Sequence, residues 1–106
     1  MAEQPAYLIA AIDIADRESY QAYVVEAVAS FRAVGGEALA ISDSPLVLEG
    51  DNPGGRFVII RFPSLKVLRD WYASERYTKA RAIRHAHAST AFLLGVSGLD
   101  HGVSDD

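Results

Sequence analysis

The strongest constraint on this chain is a strand with apolar bulk on both of its sides. Arg56 to Phe62 reads Arg-Phe-Val-Ile-Ile-Arg-Phe, so Phe57, Ile59 and Arg61 alternate against Val58, Ile60 and Phe62. Tyr7 to Ile14 is likewise apolar apart from Asp13 and reads as a largely buried strand. A sheet built from such strands needs cover on both faces. The chain has 106 residues, which suits one domain and leaves no room for a second core. One layer of helices closes one face. The other face calls for a second layer, and a second copy of the chain with twofold symmetry is its simplest source.

The helices are legible from spacing. Asp16 offers an N-cap. After it Tyr20, Tyr23, Val24, Ala27, Val28 and Phe31 form one continuous helical stripe. Gly35-Gly36 stops that helix. Glu37 to Ser42 is a short second strand. Ser44-Pro45 turns the chain, Leu46 to Glu49 continues extended, and Asp51-Asn52-Pro53-Gly54-Gly55 is a dense turn signal. After the Arg56–Phe62 strand, Pro63-Ser64 leads into a helix whose apolar side holds Leu65, Leu68 and Tyr72 with Val67 and Trp71. A further helical stretch runs from Glu75 to about Ala86, joined to the previous one or separate. Thr90 to Val96 is the last strand. The order β-α-β-(β)-β-α-β predicts an α+β, ferredoxin-like protomer, its antiparallel sheet carrying helices on one face. The domain spans 1–98, and 99–106 reads as a C-terminal tail packed on the partner subunit.

Composition narrows the function classes. Half of the residues are hydrophobic and 23% are charged, the balance of a folded domain. The sequence has no cysteine, which removes disulfides, thiol nucleophiles and cysteine-ligated metals. A net charge of −4 argues against nucleic acid as partner. No apolar run reaches the ~20 residues of a membrane span. The N-terminus lacks the basic region of a signal peptide, so the expected location is cytoplasmic. Charge is unevenly spread: residues 1–55 hold nine acids and two bases, net −7, and residues 56–106 hold five acids and eight bases, net +3. That difference fits two halves that attract each other, or a cationic site for an anionic ligand in the second half.

Several blocks stand in order along the chain: Asp16-Arg17-Glu18-Ser19-Tyr20-Gln21-Ala22-Tyr23, Gly35-Gly36, Leu48-Glu49-Gly50, Phe62-Pro63-Ser64, Trp71-Tyr72-Ala73-Ser74-Glu75-Arg76-Tyr77 and Arg84. Over residues 7 to about 98 they resemble a bacterial family, domain-of-unknown-function family 1330, within the dimeric α/β-barrel superfamily. The resemblance implies a ferredoxin-like protomer whose sheet packs face to face on a second protomer. It implies no reaction, because superfamily relatives include cofactor-free monooxygenases, lactone isomerases, dehydratases and ligand sensors. Two departures bear on any family site. Arg61 stands where the family usually has an acid, and Ala40-Ile41-Ser42-Asp43 replaces an Arg-Gly-Gly segment.

The densest polar and aromatic segment is Trp71 to His87. On a helix from Glu75, the residues Tyr77, Arg81, Arg84 and His85 share one side. Beside Trp71 and Tyr72 they make a candidate pocket for a carboxylate or phenolate, with Arg81 and Arg84 orienting the anion and His85 moving a proton. The competing reading packs Tyr77 and the arginine stems on the sheet edge and leaves Trp71 as a core anchor. Glu49 is the second candidate acid–base, or else the ion-pair partner of Arg56 or Arg61. His85 and His87 point apart on a helix and hold no metal together. Neither Gly-Gly pair forms a phosphate loop, so no cofactor is expected. Three functions remain. One is a cofactor-independent isomerase, lyase or monooxygenase acting on a small anionic or aromatic metabolite. The others are a non-catalytic small-molecule-binding module and a dimer without a ligand.

Overall fold

The first strand, β1 (Ala6–Ile14), sits inside the sheet because its apolar residues alternate on both sides. The structure, a computed structural model, describes residues 4–99. Around β1 the chain forms α1 (Arg17–Arg32), β2 (Glu37–Ser42), β3 (Arg56–Phe62), α2 (Leu65–Ala73), α3 (Glu75–His87) and β4 (Ala88–Ser97). The strand order is β2-β3-β1-β4, antiparallel throughout. This is the expected ferredoxin-like α+β protomer. The expected tail falls, from residue 100 on, outside the described residues.

Local chemistry fixes the element ends. Asp16 caps α1, accepting from the Ser19 amide at 3.3 Å and the Ser19 hydroxyl at 2.8 Å. Gly35, at φ +88°, ends that helix where a side chain would be strained. Ser74 settles whether the last two helices join. Its backbone is extended, its hydroxyl donates to the Trp71 carbonyl at 2.7 Å, and its oxygen accepts the Tyr77 amide at 3.1 Å. One serine thus ends α2 and starts α3. The expected extension at Leu46 to Glu49 does not form a strand. Segment 43–55 is an irregular loop, turned by Pro45 and by glycines 50, 54 and 55 with positive φ.

Two bulges decide which side chains face the helices. Ala10 pairs with Leu93 and Ala11 with Phe92, but Ile12 pairs with Thr90. Ala91 is the extra residue, and it turns Thr90 onto the helix face. The second bulge, at Leu39, puts both Ala38 and Ile41 opposite helix-facing residues of β3. On the helix side the core gathers Leu8, Ile60, Phe62, Phe31, Leu68, Trp71 and Tyr77, all buried. The opposite face has no layer of its own. There Tyr7, Ile9, Phe57, Ile59 and Phe92 are half-buried, and Leu94 and Val96 are exposed. Among the described residues no helix is long and apolar enough to cross a membrane.

Candidate functional site

Helix α1 leans on α3 rather than lying flat on the sheet. The gap beneath it is a cavity of about 90 Å³. Leu8, Ala10 and Ile12 of β1, Val58 and Ile60 of β3 and Leu93 of β4 floor it. Val24, Ala27, Val28 and Phe31 roof it. Three polar side chains reach its wall: Tyr20, Tyr23 and Arg56. Among the described residues, no carboxylate or imidazole lines it.

The roof continues into a column of aromatic rings. Tyr20 and Tyr23 stack at 5.0 Å, Tyr23 meets Tyr77 edge-on at 6.2 Å, and Tyr77 lies 4.1 Å from Trp71. Trp71 in turn packs on Phe62 at 5.0 Å. A buried indole N–H needs an acceptor. Here the Trp71 Nε1 donates to Ser30 Oγ at 2.9 Å, and Ser30 donates to the Ala27 carbonyl at 2.7 Å. Trp71 is therefore the core anchor of the second sequence reading.

Behind the tyrosines sits Arg84, 2% exposed. Its Nη1 donates to Thr90 Oγ1, the residue that the β4 bulge turned inward, and its charge bears on the neighbouring Tyr77 hydroxyl. Tyr77 and Tyr23 share a hydrogen bond of 2.8 Å between their hydroxyls. Burial pushes the Tyr20 hydroxyl up to about 12, against the pull of Arg84. Burial drives the Tyr23 hydroxyl up as well, reinforced by Tyr77. Both phenols are thus proton-bearing donors at neutral pH.

At the rim Arg56 meets Asp43 through two contacts, Nε–Oδ1 at 2.9 Å and Nη2–Oδ2 at 3.4 Å. Arg17 lies 3.7 Å from the same carboxylate. The Arg56 bond, with Arg17 beside it, holds the Asp43 carboxyl below the usual carboxylate range. The expected pairing of Glu49 with Arg56 or Arg61 is therefore replaced: Asp43 takes Arg56, because β2 ends beside the start of β3. Arg61 faces the open side, opposite Glu37.

The sequence-predicted residues separate into three groups. Trp71, Tyr77 and Arg84 are buried together, and Tyr72 stacks beside Tyr77 at 5.6 Å. Arg81 lies over the outer side of Tyr72, its guanidinium 4.6 Å from the ring centre. His85, expected on the same side as Tyr77, is exposed. It lies a further ~100° around the helix from Arg84, which turns it out of the pocket. Glu49 is on loop 43–55, near Phe57 and Phe92 on the open side of the sheet. The structure does not bring Glu49 and His85 together.

Tyr20, Tyr23, Ser30, Arg56 and Thr90 were not singled out as site residues by sequence. The two tyrosines carried a signal nonetheless: a hydroxyl on a core-facing helical stripe has to find a partner.

Comparisons with known proteins agree with this architecture. The family described as "Domain of unknown function (DUF1330)" matches residues 5–99. No curated relative matches the chain. Among solved structures, the chain is similar to RPA0582, a protein of unknown function from Rhodopseudomonas palustris. The TM-score is 0.76 at 20% identity, covering 92% of this chain and 85% of that one. It is also similar to SnoaB, a cofactor-independent oxygenase from Streptomyces nogalater, with TM-score 0.64 at 9% identity over 93% and 97% of the two chains. HapK from Hahella chejuensis gives TM-score 0.60 at 11% identity over 95% and 99%. At these identities the likeness is one of fold.

Proposed function

From the premise that this chain belongs to the DUF1330 family, we propose that it is a homodimer that binds a small aromatic or anionic metabolite beneath α1 and acts on it without a cofactor. The observation that carries this reading is the cavity itself. It is apolar, small and open at a rim held by Arg56, and its other polar lining residues are Tyr20 and Tyr23. Apolar walls with a few convergent polar groups are the usual make-up of a small-molecule site. The likeness to a cofactor-independent oxygenase supports a chemistry in which the substrate supplies its own reactivity. Such chemistry suits a site lined by donors. The bare apolar face of the sheet supports the dimer.

A second reading, a non-catalytic binding module, is favoured by one specific observation: His85 and Glu49 both lie away from the cavity. One experiment separates these readings. Thermal shift against single-ring phenols and carboxylates is measured for the wild type and for Val28→Phe, which fills the cavity. A ligand at 100 times its Kd adds about 2.7 kcal/mol of stability. We expect such a shift in the wild type and its loss in Val28→Phe. The bound compound is then incubated in air and followed by mass spectrometry. Turnover supports the enzyme, binding without turnover supports the module, and a panel with no shift removes both.

A further inference from the structure

The buried network around Arg84 holds more hydrogen-bond donors than acceptors. A guanidinium carries five N–H donors and accepts nothing. Arg84 uses one of them on Thr90 Oγ1, and its Nε is buried with no partner. Among the described residues no carboxylate pairs with it. The Tyr23–Tyr77 bond consumes one of two phenolic protons. One O–H and the buried Nε–H are therefore left without an acceptor beside a permanent positive charge. Buried polar groups are ordinarily satisfied, so this arrangement lacks an acceptor.

Chemistry sets the direction of the bonds. The Arg84 charge repels the proton of the Tyr77 hydroxyl and turns it toward Tyr23. If Tyr77 then donates to Tyr23, each O–H is polarised by the one behind it. That order also places the spare proton on Tyr23, at the cavity wall. The reverse order strands it on Tyr77, which is fully buried, at the cost of an unmade hydrogen bond. The cavity thus faces an O–H whose donor strength is raised by a buried cation, in the manner of an oxyanion hole.

The walls narrow the acceptor. A cavity of about 90 Å³ is smaller than the ~150 Å³ that accommodates benzene in an engineered core, so no more than one ring can enter, and part of it stands in the open mouth. A carboxylate concentrates its charge on two oxygens and is costly to strip of water against apolar walls. An aryl oxide spreads its charge into the ring and needs fewer donors.

We propose, building on the cavity reading above, that the ligand is a single-ring hydroxyaryl compound held as its oxyanion, its oxygen accepting the Tyr23 O–H. On binding, the ligand O–H bond breaks, the electron pair stays on oxygen and the proton leaves to solvent. No other bond changes and no further reactant takes part.

The test uses 4-nitrophenol and its neutral analogue 4-nitrotoluene with the whole protein. The visible phenolate band of bound 4-nitrophenol is followed against pH. We expect its ionisation midpoint to fall by about one pH unit, which is about tenfold tighter binding of the phenolate than of the phenol. Tyr23→Phe removes only a hydroxyl and keeps the ring packing. It is expected to bind 4-nitrotoluene as the wild type does and to lose the fall in midpoint. If 4-nitrotoluene binds and the midpoint does not fall, or the fall persists in Tyr23→Phe, the oxyanion inference is overturned and the cavity reading stands. If neither probe binds the wild type, the cavity reading fails and takes this inference with it.

Discussion

The two faces of the sheet are built from the same kinds of residue and meet different fates. On one face Leu8, Ile60 and Phe62 lie buried beneath three helices. On the other, Ile9, Phe57, Ile59 and Phe92 are half-buried, and Leu94 is 52% exposed. Strand alternation assigns residues to faces; it does not supply cover. The covered face is also where polar chemistry accumulates. Its helices bring Trp71, Tyr77 and Arg84 into a buried space with Tyr23 beside them, and polar atoms there have to be matched. The open face carries its apolar surface onto loop 43–55, where Leu46 and Leu48 are 84% and 83% exposed. A monomer gains nothing from keeping such a surface in water. The contrast underlies the proposed division of labour: one face for a ligand, the other for a partner.

The largest effects test the covered face. Trp71→Ala empties the middle of the aromatic column and strands Ser30. It is expected to cost about 3–5 kcal/mol in urea unfolding. A cost below about 1 kcal/mol would mean that the column is not the core of the helix layer. The matched change on the other side is Leu94→Glu. Exposed in the protomer, it should alter protomer stability by no more than about 0.5 kcal/mol. Placed within a dimer interface, it buries an unpaired charge and is expected to weaken association by at least about tenfold. Sedimentation of both proteins at micromolar concentration decides this. A wild type that sediments as one subunit, or a variant that dimerises equally well, breaks the proposed role of the open face.

What the sequence disclosed follows the same division. The four strands of the sheet, the helical stretches and the bare second face were legible, because periodicity in β1, α1 and β3 reports directly on burial. Tyr77 and Arg84 were legible as a pair, seven residues apart and so two turns along one side of a helix. Thr90 was not, since simple alternation puts it on the open face and only the bulge at Ala91 reverses that. The Ser74 break was hidden for a different reason: a single residue separates two helices whose apolar patterns run on. Leu46 to Glu49 looked extended by composition, but a strand needs a neighbour, and β3 is already paired on both sides. His85 lies one residue's rotation beyond buried Arg84, which suffices to move a side chain from the buried side of α3 to solvent.

A smaller effect sharpens the contrast from the covered side. Tyr20 ionises near 12 and Tyr23 is also displaced upward, both mainly through burial. A raised acid favours the folded state while it keeps its proton. This contribution is complete below the ordinary tyrosine value of 10.0 and is lost as pH rises through about 12. The tyrosinates of Tyr20 and Tyr23 should therefore form only as the protein unfolds. Tyr20→Phe should remove part of the alkaline loss of stability. Ionisation of Tyr20 and Tyr23 in the folded protein well below pH ~11 would show that the roof of the cavity is open to water.

The smallest effect lies at the rim, where loop 43–55 leaves the helix side and crosses toward the open face. Asp43 there holds Arg56 and Arg17, both at partly exposed positions. Surface pairs of this kind contribute little, and salt weakens them. The Arg56 bond lowers the Asp43 carboxyl below 3.8. A lowered acid favours the folded state while it is ionised, so its contribution is present above that value and fades as pH falls through the lowered one. Asp43→Asn should melt a degree or two below the wild type at neutral pH, and the two curves should converge in strong acid. High salt should narrow the gap at neutral pH in the same way. If the gap persists in acid, Asp43 acts through its shape rather than its charge. The loop would then be tied to the helix face by packing, and the line between the two faces would run outside Arg56 rather than through it.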